Sequence, residues 1–322
     1  MSILVTGVAG FIGSNLAVTL IEQGHTVFGV DNFSLGSEKN LTSIRMNTRF
    51  HFRKTEMTDL TVYKRVVTDF CLQEQITEVW HLAANSDIQS GVLNPSVDLR
   101  NTFMTTFNTL EIMKEHDIPK LLFASSSAIY GDLGARTLTE DIGPLLPISN
   151  YGAMKLASEA AISASTESWL DSAYIFRFPN VIGVPATHGV LLDFIRKLNS
   201  NPYRLDVLGD GTQQKSYLHV EELINAMMFI KEHSRDKISF YNIGPTDDGV
   251  SVRFIAQEAV RIVSPGAKLI FGQGAKGWVG DVPKFFYSVE KLKRLGWTPK
   301  FSSRDAVRRA LCQIHAQETT RP

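Results

Sequence analysis

At 322 residues the chain is too long for one small domain and suits one large α/β domain or two domains. Hydrophobic residues make up 43% and charged residues 20%, an ordinary globular balance, and 33 acidic against 33 basic residues leave no net field to draw nucleic acid or an anionic membrane. No apolar run approaches the roughly 18 residues of a membrane span. The strand pattern begins at Ser2 and leaves no room for a signal peptide. The two cysteines, Cys71 and Cys312, exclude a disulfide framework or a cysteine-rich metal site and fit a reducing, cytoplasmic location.

The first predicted element is a buried parallel strand at Ile3–Val5, short and apolar on both faces. Gly7, Gly10 and Gly13 follow at GxxGxxG spacing, a helix over 14–23 ends at Gly24, and a second strand, Val27–Val30, ends at Asp31. This is the context in which a glycine turn binds a dinucleotide. The glycines let backbone approach the pyrophosphate, and N–H groups with the helix dipole hold it. Asp31 would accept hydrogen bonds from the adenosine ribose and repel a 2′-phosphate, which favours NAD over NADP. The loop Asn32–Ser37 reads as a contact for the adenosine end. A third strand, Arg49–Arg53, leads through Glu56 and Met57 to Asp59, the expected N-cap of a helix over 60–72.

A fourth strand, Glu78–Leu82, ends at Ala83 and Ala84, small enough for backbone to pass close to a cofactor, and its His81 is expected as a packed, hydrogen-bonded side chain. Residues 85–94 read as a polar loop offering Ser86 and Ser90 to a substrate. Residues 96–116, with Asn101 among them, read as one long amphipathic helix suited to a core face or a helix–helix dimer contact. The fifth strand, Leu121–Ser125, runs into Ser126 and Ser127. Beyond a Gly- and Pro-bearing loop, Tyr151 and Lys155 stand at (i, i+4) on a helix reaching about Leu170, hence on one face. A lysine ammonium near a phenol favours the phenolate, the form a base needs at neutral pH, and a strand-end serine is placed to bond the same reacting oxygen.

Strands at Ala173–Phe178 and Ser239–Ile243 bring the count to about seven. Their alternation with helices predicts an α/β, doubly wound parallel sheet with ligands at the carboxyl ends of the strands. Past Asn180 the pattern loosens into a turn at 187–189, a helix over 191–198, a short strand at 205–208 and a turn at Gly209–Gly211. Lys215 and Lys276 flank this part, two cations able to clamp a diphosphate. A dinucleotide-binding domain is expected over 1–178 plus about 212–244, and a smaller α+β lobe over about 179–211 and 245–322.

Taken together, TGVAGFIGSN (6–15), Asp31-Asn32, HLAA (81–84), SSSAIYG (125–131), YGAMK (151–155), RFPNVIG (177–183), THGVLLDFI (187–195) and GDGTQQKSYLHVEEL (209–223) resemble the extended short-chain dehydrogenase/reductase family and, within it, the nucleotide-sugar epimerases and dehydratases. The last three segments look most like the UDP-galactose 4-epimerase branch. The resemblance implies a Rossmann fold and NAD held by Gly7, Gly10, Phe11, Ile12, Gly13, Asp31, Asn32, Glu56, Met57, Leu82, Ala83, Ala84, Tyr151 and Lys155. It implies Tyr151 as the catalytic base, Lys155 as its partner and Ser126, four residues before Tyr130, as the catalytic hydroxyl. For the substrate it implies Ser86, Ser126, Ser127, Tyr151, Asn180, Gly189, Val190, Asp206, Leu208 and Lys215, with Lys276 and Trp278 in the last loop, and it implies a homodimer.

Two departures from the family pattern matter. Trp278 stands where the family has a second phosphate-binding arginine, and Lys215 offers a point charge where arginine offers a fork. Ser127 and Ala128 occupy the positions where dehydratases carry an acid pair and decarboxylases a glutamate, which disfavours elimination and decarboxylation. The expected activity is NAD-dependent epimerisation at C4 of a nucleotide-diphosphate sugar, a UDP-hexose first, through a transient 4-keto sugar. The alternatives are a 4-ketoreductase, dehydrogenase or dehydratase of the same family, and more distantly a non-catalytic NAD-binding scaffold.

Overall fold

Short runs of branched and aromatic residues become the strands of one sheet. In the computed structural model, which describes residues 1–134, 136–274 and 286–320, these are β1 (Ser2–Thr6), β2 (Thr26–Asp31), β3 (Phe50–Lys54), β4 (Ile76–His81), β5 (Lys120–Ala124), β6 (Ser172–Arg177) and β7 (Ile238–Asn242). Their spatial order is β7-β6-β5-β4-β1-β2-β3. Every pairing from β3 across to β6 is parallel. All five residues of β1 are buried, as a central strand covered on both faces requires.

Register decides where a site can form. Thr6 pairs with Val30 on one side and His81 on the other, and Phe123 pairs with His81 and Ile175. The residues that follow these strands therefore emerge side by side along one edge of the sheet. The connecting helices are α1 (Phe11–Glu22), α2 (Leu60–Cys71), α3 (Ile88–Leu93), α4 (Pro95–Asp98), α5 (Thr105–Glu115) and α6 (Asn150–Thr166). Asp59 caps α2 by accepting from the Val62 N–H at 3.0 Å, as its position predicts.

Two sequence expectations are corrected here. Residues 85–94 are not a plain loop, since Asp87 caps the short helix α3 by accepting the Ser90 N–H. The long helix expected over 96–116 is interrupted by a π-helical turn, Leu99–Met104, between α4 and α5. The hydroxyls of Thr105 and Thr106 both donate back to the Thr102 carbonyl, at 3.0 Å each. Such back-bonding competes with the regular ladder, and π turns of this kind recur at functional sites.

The chain packs as two units: Met1–Gly131 with Pro144–Arg177 and Met227–Tyr241, and Asp132–Gly143 with Phe178–Ala226 and Asn242–Pro322. The first has its core around Leu4, Phe28, Val79, Leu121, Phe123 and Ile175. In the second, the helices Val190–Ser200, Val252–Val263 and Ser303–Thr319 enclose a separate core around Ile195, Leu205, Ile255, Ala259 and Leu311. This packing division assigns 132–143 and 212–226 to the second unit. Both segments hydrogen-bond within it: Glu140 accepts the Asn242 N–H at 2.9 Å, and Tyr217–His219 pairs in parallel with Asn180–Ile182.

Candidate active site

The glycine turn leaves β1 with Gly7 at φ +66°, and Gly10 opens α1 with no side-chain cap, so the first-turn N–H groups of α1 have no side-chain partner. A Cβ on Gly13 would stand 2.1 Å from the Gly7 carbonyl oxygen, and one on Gly7 2.8 Å from the Ala83 nitrogen. The turn thus runs backbone against backbone beside the end of β4, with Phe11, Ile12 and Gly13 forming the start of the helix. Thr6 fastens the neighbouring segment, its hydroxyl accepting the N–H groups of Leu82 at 3.1 Å and Ala83 at 3.2 Å and meeting His81 Nδ1 at 2.8 Å. His81 also meets the Thr106 hydroxyl at 3.0 Å and is fully buried. Burial first, and then the Lys155 ammonium, hold its pKa down to about 3, so it is a neutral structural histidine.

At the end of β2, Asp31 is buried and accepts from the Ala9 N–H at 2.9 Å and the Phe33 N–H at 2.7 Å. Burial raises its pKa, with those backbone hydrogen bonds opposing the rise. A carboxylate has about four acceptor positions, so two bonds leave capacity for a pair of ribose hydroxyls. Asn32 donates to exposed Glu56 at 2.9 Å, which also accepts from the Thr58 N–H and hydroxyl. Met57 differs in kind: its side chain belongs to the core, and its carbonyl accepts from Asn108 at 2.8 Å. Tight glycine turn, uncapped helix start and strand-end acid fit a dinucleotide.

The candidate reactive groups gather at the end of β5. Ser126 caps a 3₁₀ turn, Ser127–Tyr130, by accepting the Ala128 N–H at 3.1 Å, which leaves its own hydrogen for Tyr151. Ser149 caps α6 by accepting the Gly152 N–H at 3.1 Å, and so sets Tyr151 in the first turn. Tyr151 is half-buried and Lys155 buried. The Lys155 ammonium lies 5.8 Å from the Tyr151 ring centroid and 4.7 Å from that of Phe123, and donates to the Ala124 carbonyl at 2.5 Å. Burial lowers its pKa to about 7, against the raising pull of Glu159. The phenol of Tyr151 is pushed up to about 12 by burial first and by the Asp98 carboxylate, with the Ser126 hydrogen bond pulling the other way.

Three groups to which the motifs assign no role stand behind this set. Asp98 is fully buried, accepts from Asn85 at 2.8 Å and packs its other oxygen on Gly91, whose carbonyl accepts from Asn150 at 2.9 Å. Glu159 and Arg177 form a buried ion pair. Their signal in sequence is only an arginine closing an otherwise apolar strand run and an acid one helical turn beyond Lys155. Ser86 is exposed in the turn before α3.

The remaining predicted residues lie in the second unit. Asn180 donates to the Ser216 carbonyl at 3.2 Å and pairs with Tyr217. Gly189, at φ +106°, is the N-cap of the helix that begins at Val190. The Asp206 carboxylate is taken by Arg204, whose Nη2 donates at 2.6 Å, and Leu208 is exposed just past that strand. Lys215 pairs with Val250 in a two-stranded antiparallel ribbon. Lys276 and Trp278 lie outside the described residues.

A pyridine-nucleotide enzyme accounts for both halves of the first unit, the turn ready for a pyrophosphate and the proton-transfer group at a neighbouring strand end. The chain belongs to the NAD dependent epimerase/dehydratase family, whose model matches residues 3–244. The fold is similar to the crystal structure of a UDP-galactose 4-epimerase, with a TM-score of 0.84 and 32% identity over 99% of both chains. It is also similar to a UDP-glucuronic acid 4-epimerase from Bacillus cereus in complex with UDP-glucuronic acid and NAD, with a TM-score of 0.84 and 26% identity over 98% of this chain and 100% of that one. The UDP-glucose 4-epimerase of Corynebacterium glutamicum is 28% identical, the match covering 93% of this chain and 91% of that protein.

Proposed function

We propose that the protein interconverts the C4 epimers of a UDP-hexose, with Tyr151 as the base, Ser126 and Lys155 beside it, and NAD held along the glycine turn and Asp31. The observation that carries this reading is the Ser126–Tyr151–Lys155 group at the end of β5, standing on a turn, Ser127–Tyr130, that contains no acid. The buried carboxylate Asp98 is held by Asn85 and turned onto Gly91, so it is not presented as an acid for elimination. The three relatives above are named for epimerisation at one carbon, on galactose, glucuronic acid and glucose respectively.

When bound, NAD supplies the two-electron acceptor and donor for C4. The protein's own residues move and hold the proton. Tyr151 takes the hydrogen of the C4 hydroxyl and returns it once the sugar has presented its other face. Ser126, one lone pair engaged by Ala128, gives its hydrogen to Tyr151 and would turn it to the reacting oxygen when the sugar is bound. Lys155, anchored on the Ala124 carbonyl, presents its ammonium to the phenol and would hold the nicotinamide ribose. Ser86, Ser127, Asn180, Gly189, Val190, Asp206, Leu208 and Lys215 are assigned to the nucleotide sugar. For Asp206 the backbone is the available contact, since Arg204 occupies its carboxylate.

The protein is further read as a cytoplasmic homodimer. Both described cysteines are free thiols, and among the described residues no helix is long and apolar enough to cross a membrane. Leu99, Phe103 and Phe107 form a stripe on the π turn and α5, with Leu99 46% and Phe107 42% exposed.

The test is to incubate purified protein with UDP-glucose, UDP-galactose and UDP-glucuronate and to follow products by NMR, using sugar deuterated at C4. Epimer formed with the label retained supports the reading. Label lost to a free cofactor pool, or an unsaturated or keto product, would replace it with a dehydrogenase or a dehydratase.

A further inference from the structure

The buried pair Glu159–Arg177 lies directly behind the catalytic group. Arg177 donates to Glu159 through Nε at 3.1 Å and Nη2 at 2.7 Å, and through Nη1 to the Tyr130 hydroxyl at 3.1 Å. Ser125, adjacent to Ser126, donates to the same carboxylate. Both charged side chains are about 95% buried. Glu159 follows Lys155 by one helical turn and Tyr151 by two on α6, and among the described residues it is the acid whose charge acts on Lys155. Around the ammonium stand His81 of β4, neutral in its threonine clamp, and Phe123 and the Ala124 carbonyl of β5, while Arg177 of β6 meets this group through Glu159. Asp98 acts on Tyr151 from α4, and Tyr130 on Arg177 from the turn after β5.

We propose that Glu159 and Arg177 are positioning residues for the catalytic pair: the degree to which Arg177 neutralises Glu159 sets the field at Lys155, while their shared bonds to Ser125 and Tyr130 fix the turn that carries Ser126. A purely structural ion pair would cost stability when broken from either side and nothing more. A field-setting pair has opposite signs on its two sides. With Glu159 neutral, the uncompensated Arg177 charge drives the proton off Lys155. With Arg177 neutral, the uncompensated Glu159 charge holds it on.

The catalytic consequence rests on the epimerase reading above, but the direct measurement does not. In full-length protein with ¹³Cε-labelled lysine, the Lys155 resonance is identified by its loss in Lys155→Met and titrated. Glu159→Gln is expected to lower its midpoint by on the order of one pH unit and Arg177→Gln to raise it by as much. Arg177→Lys keeps the charge and is expected to restore the wild-type midpoint although it loses the two-pronged bond. The double variant Glu159→Gln/Arg177→Gln has no unpaired buried charge and is expected near wild type. The alkaline limb of kcat/KM moves with the resonance. Shifts of the same sign in the two single variants, or none, overturn the proposal. If the singles fail to fold, a double variant displaced by a full pH unit overturns it as well.

Discussion

Tyr151 meets two opposed demands. The dry surroundings that make a hydrogen bond strong also penalise the phenolate, and in the protein alone the penalty prevails, holding the phenol at about 12. Acting as a base near neutrality requires bringing it down by about five pH units, about 7 kcal/mol. An exposed ion pair contributes only about 0.2–1 kcal/mol, so the charges involved must be shielded from solvent. Lys155 is so shielded, and a positively charged nicotinamide adds to it when bound. Tyr151→Phe leaves the ring packing and removes the proton carrier. We expect turnover to fall by roughly 10²–10⁴-fold with the melting temperature within a few degrees of wild type. Epimerase assays and calorimetry on one preparation check this, and near wild-type turnover would rule Tyr151 out as the base. Tyr151 and Lys155 were legible in sequence because helical spacing alone puts them on one face. Asp98, Glu159 and Arg177 were not, because a buried charge is recognisable only once its hydrogen-bond partner, 13 to 47 residues away in the chain for the contacts above, is known to be adjacent in space.

For the elements, the glycine turn gives the sharpest contrast between propensity and packing. Alanine at Gly13 would favour α1 by up to about 1 kcal/mol on helix propensity. Its Cβ, however, would lie 2.1 Å from the Gly7 carbonyl oxygen, a backbone atom that cannot swing aside. Overpacking of this kind costs about 1–3 kcal/mol, so the clash decides the sign. Gly13→Ala is expected to melt lower and to bind NAD at least tenfold more weakly by calorimetric titration, because α1 must move away from the turn. Gly143→Ala, with nothing within 4 Å of its added Cβ, is the control and should leave both unchanged. An unaltered NAD affinity in Gly13→Ala would show that the turn does not hold the dinucleotide. The inner strands β1, β5 and β6 were readable because parallel strands buried on both faces appear as largely apolar runs. The π turn was not, because the apolar spacing of residues 96–116 is nearly the same with or without one extra residue in a turn. The helices Val252–Val263 and Ser303–Thr319 each open on a capping serine, Ser251 and Ser302, a signal that the sequence contains and the strand-led reading passed over.

For the whole molecule, the two cores explain why the second half of the sequence reads so loosely. The first unit repeats one supersecondary pattern around one sheet, whereas the second joins three separated segments, 132–143, 178–226 and 242–322, through short ribbons such as Gln214–Lys215 with Val250–Ser251. Pairings between segments that far apart leave little periodic trace. Assembly is different, since its trace is on the surface. Phe103 and Phe107 lie with ring centroids 6.3 Å apart, tilted to each other, on α5 and the π turn before it, and Leu99 continues their line one turn earlier. An aromatic stripe of this sort is a usual centre for an interface, where truncating one anchor commonly costs 2 kcal/mol or more, about thirtyfold in dissociation constant. Phe107→Glu would also bury a charge in the apolar contact twice over, since a two-fold interface uses the same patch on both subunits. Sedimentation velocity at micromolar concentration should therefore show a dimer for the wild type and a monomer for Phe107→Glu. Leu72→Glu, on a side chain 81% exposed at the end of α2, should leave the dimer intact. A wild type that sediments as a monomer, or a Phe107→Glu protein that remains dimeric, would remove this stripe from the assembly.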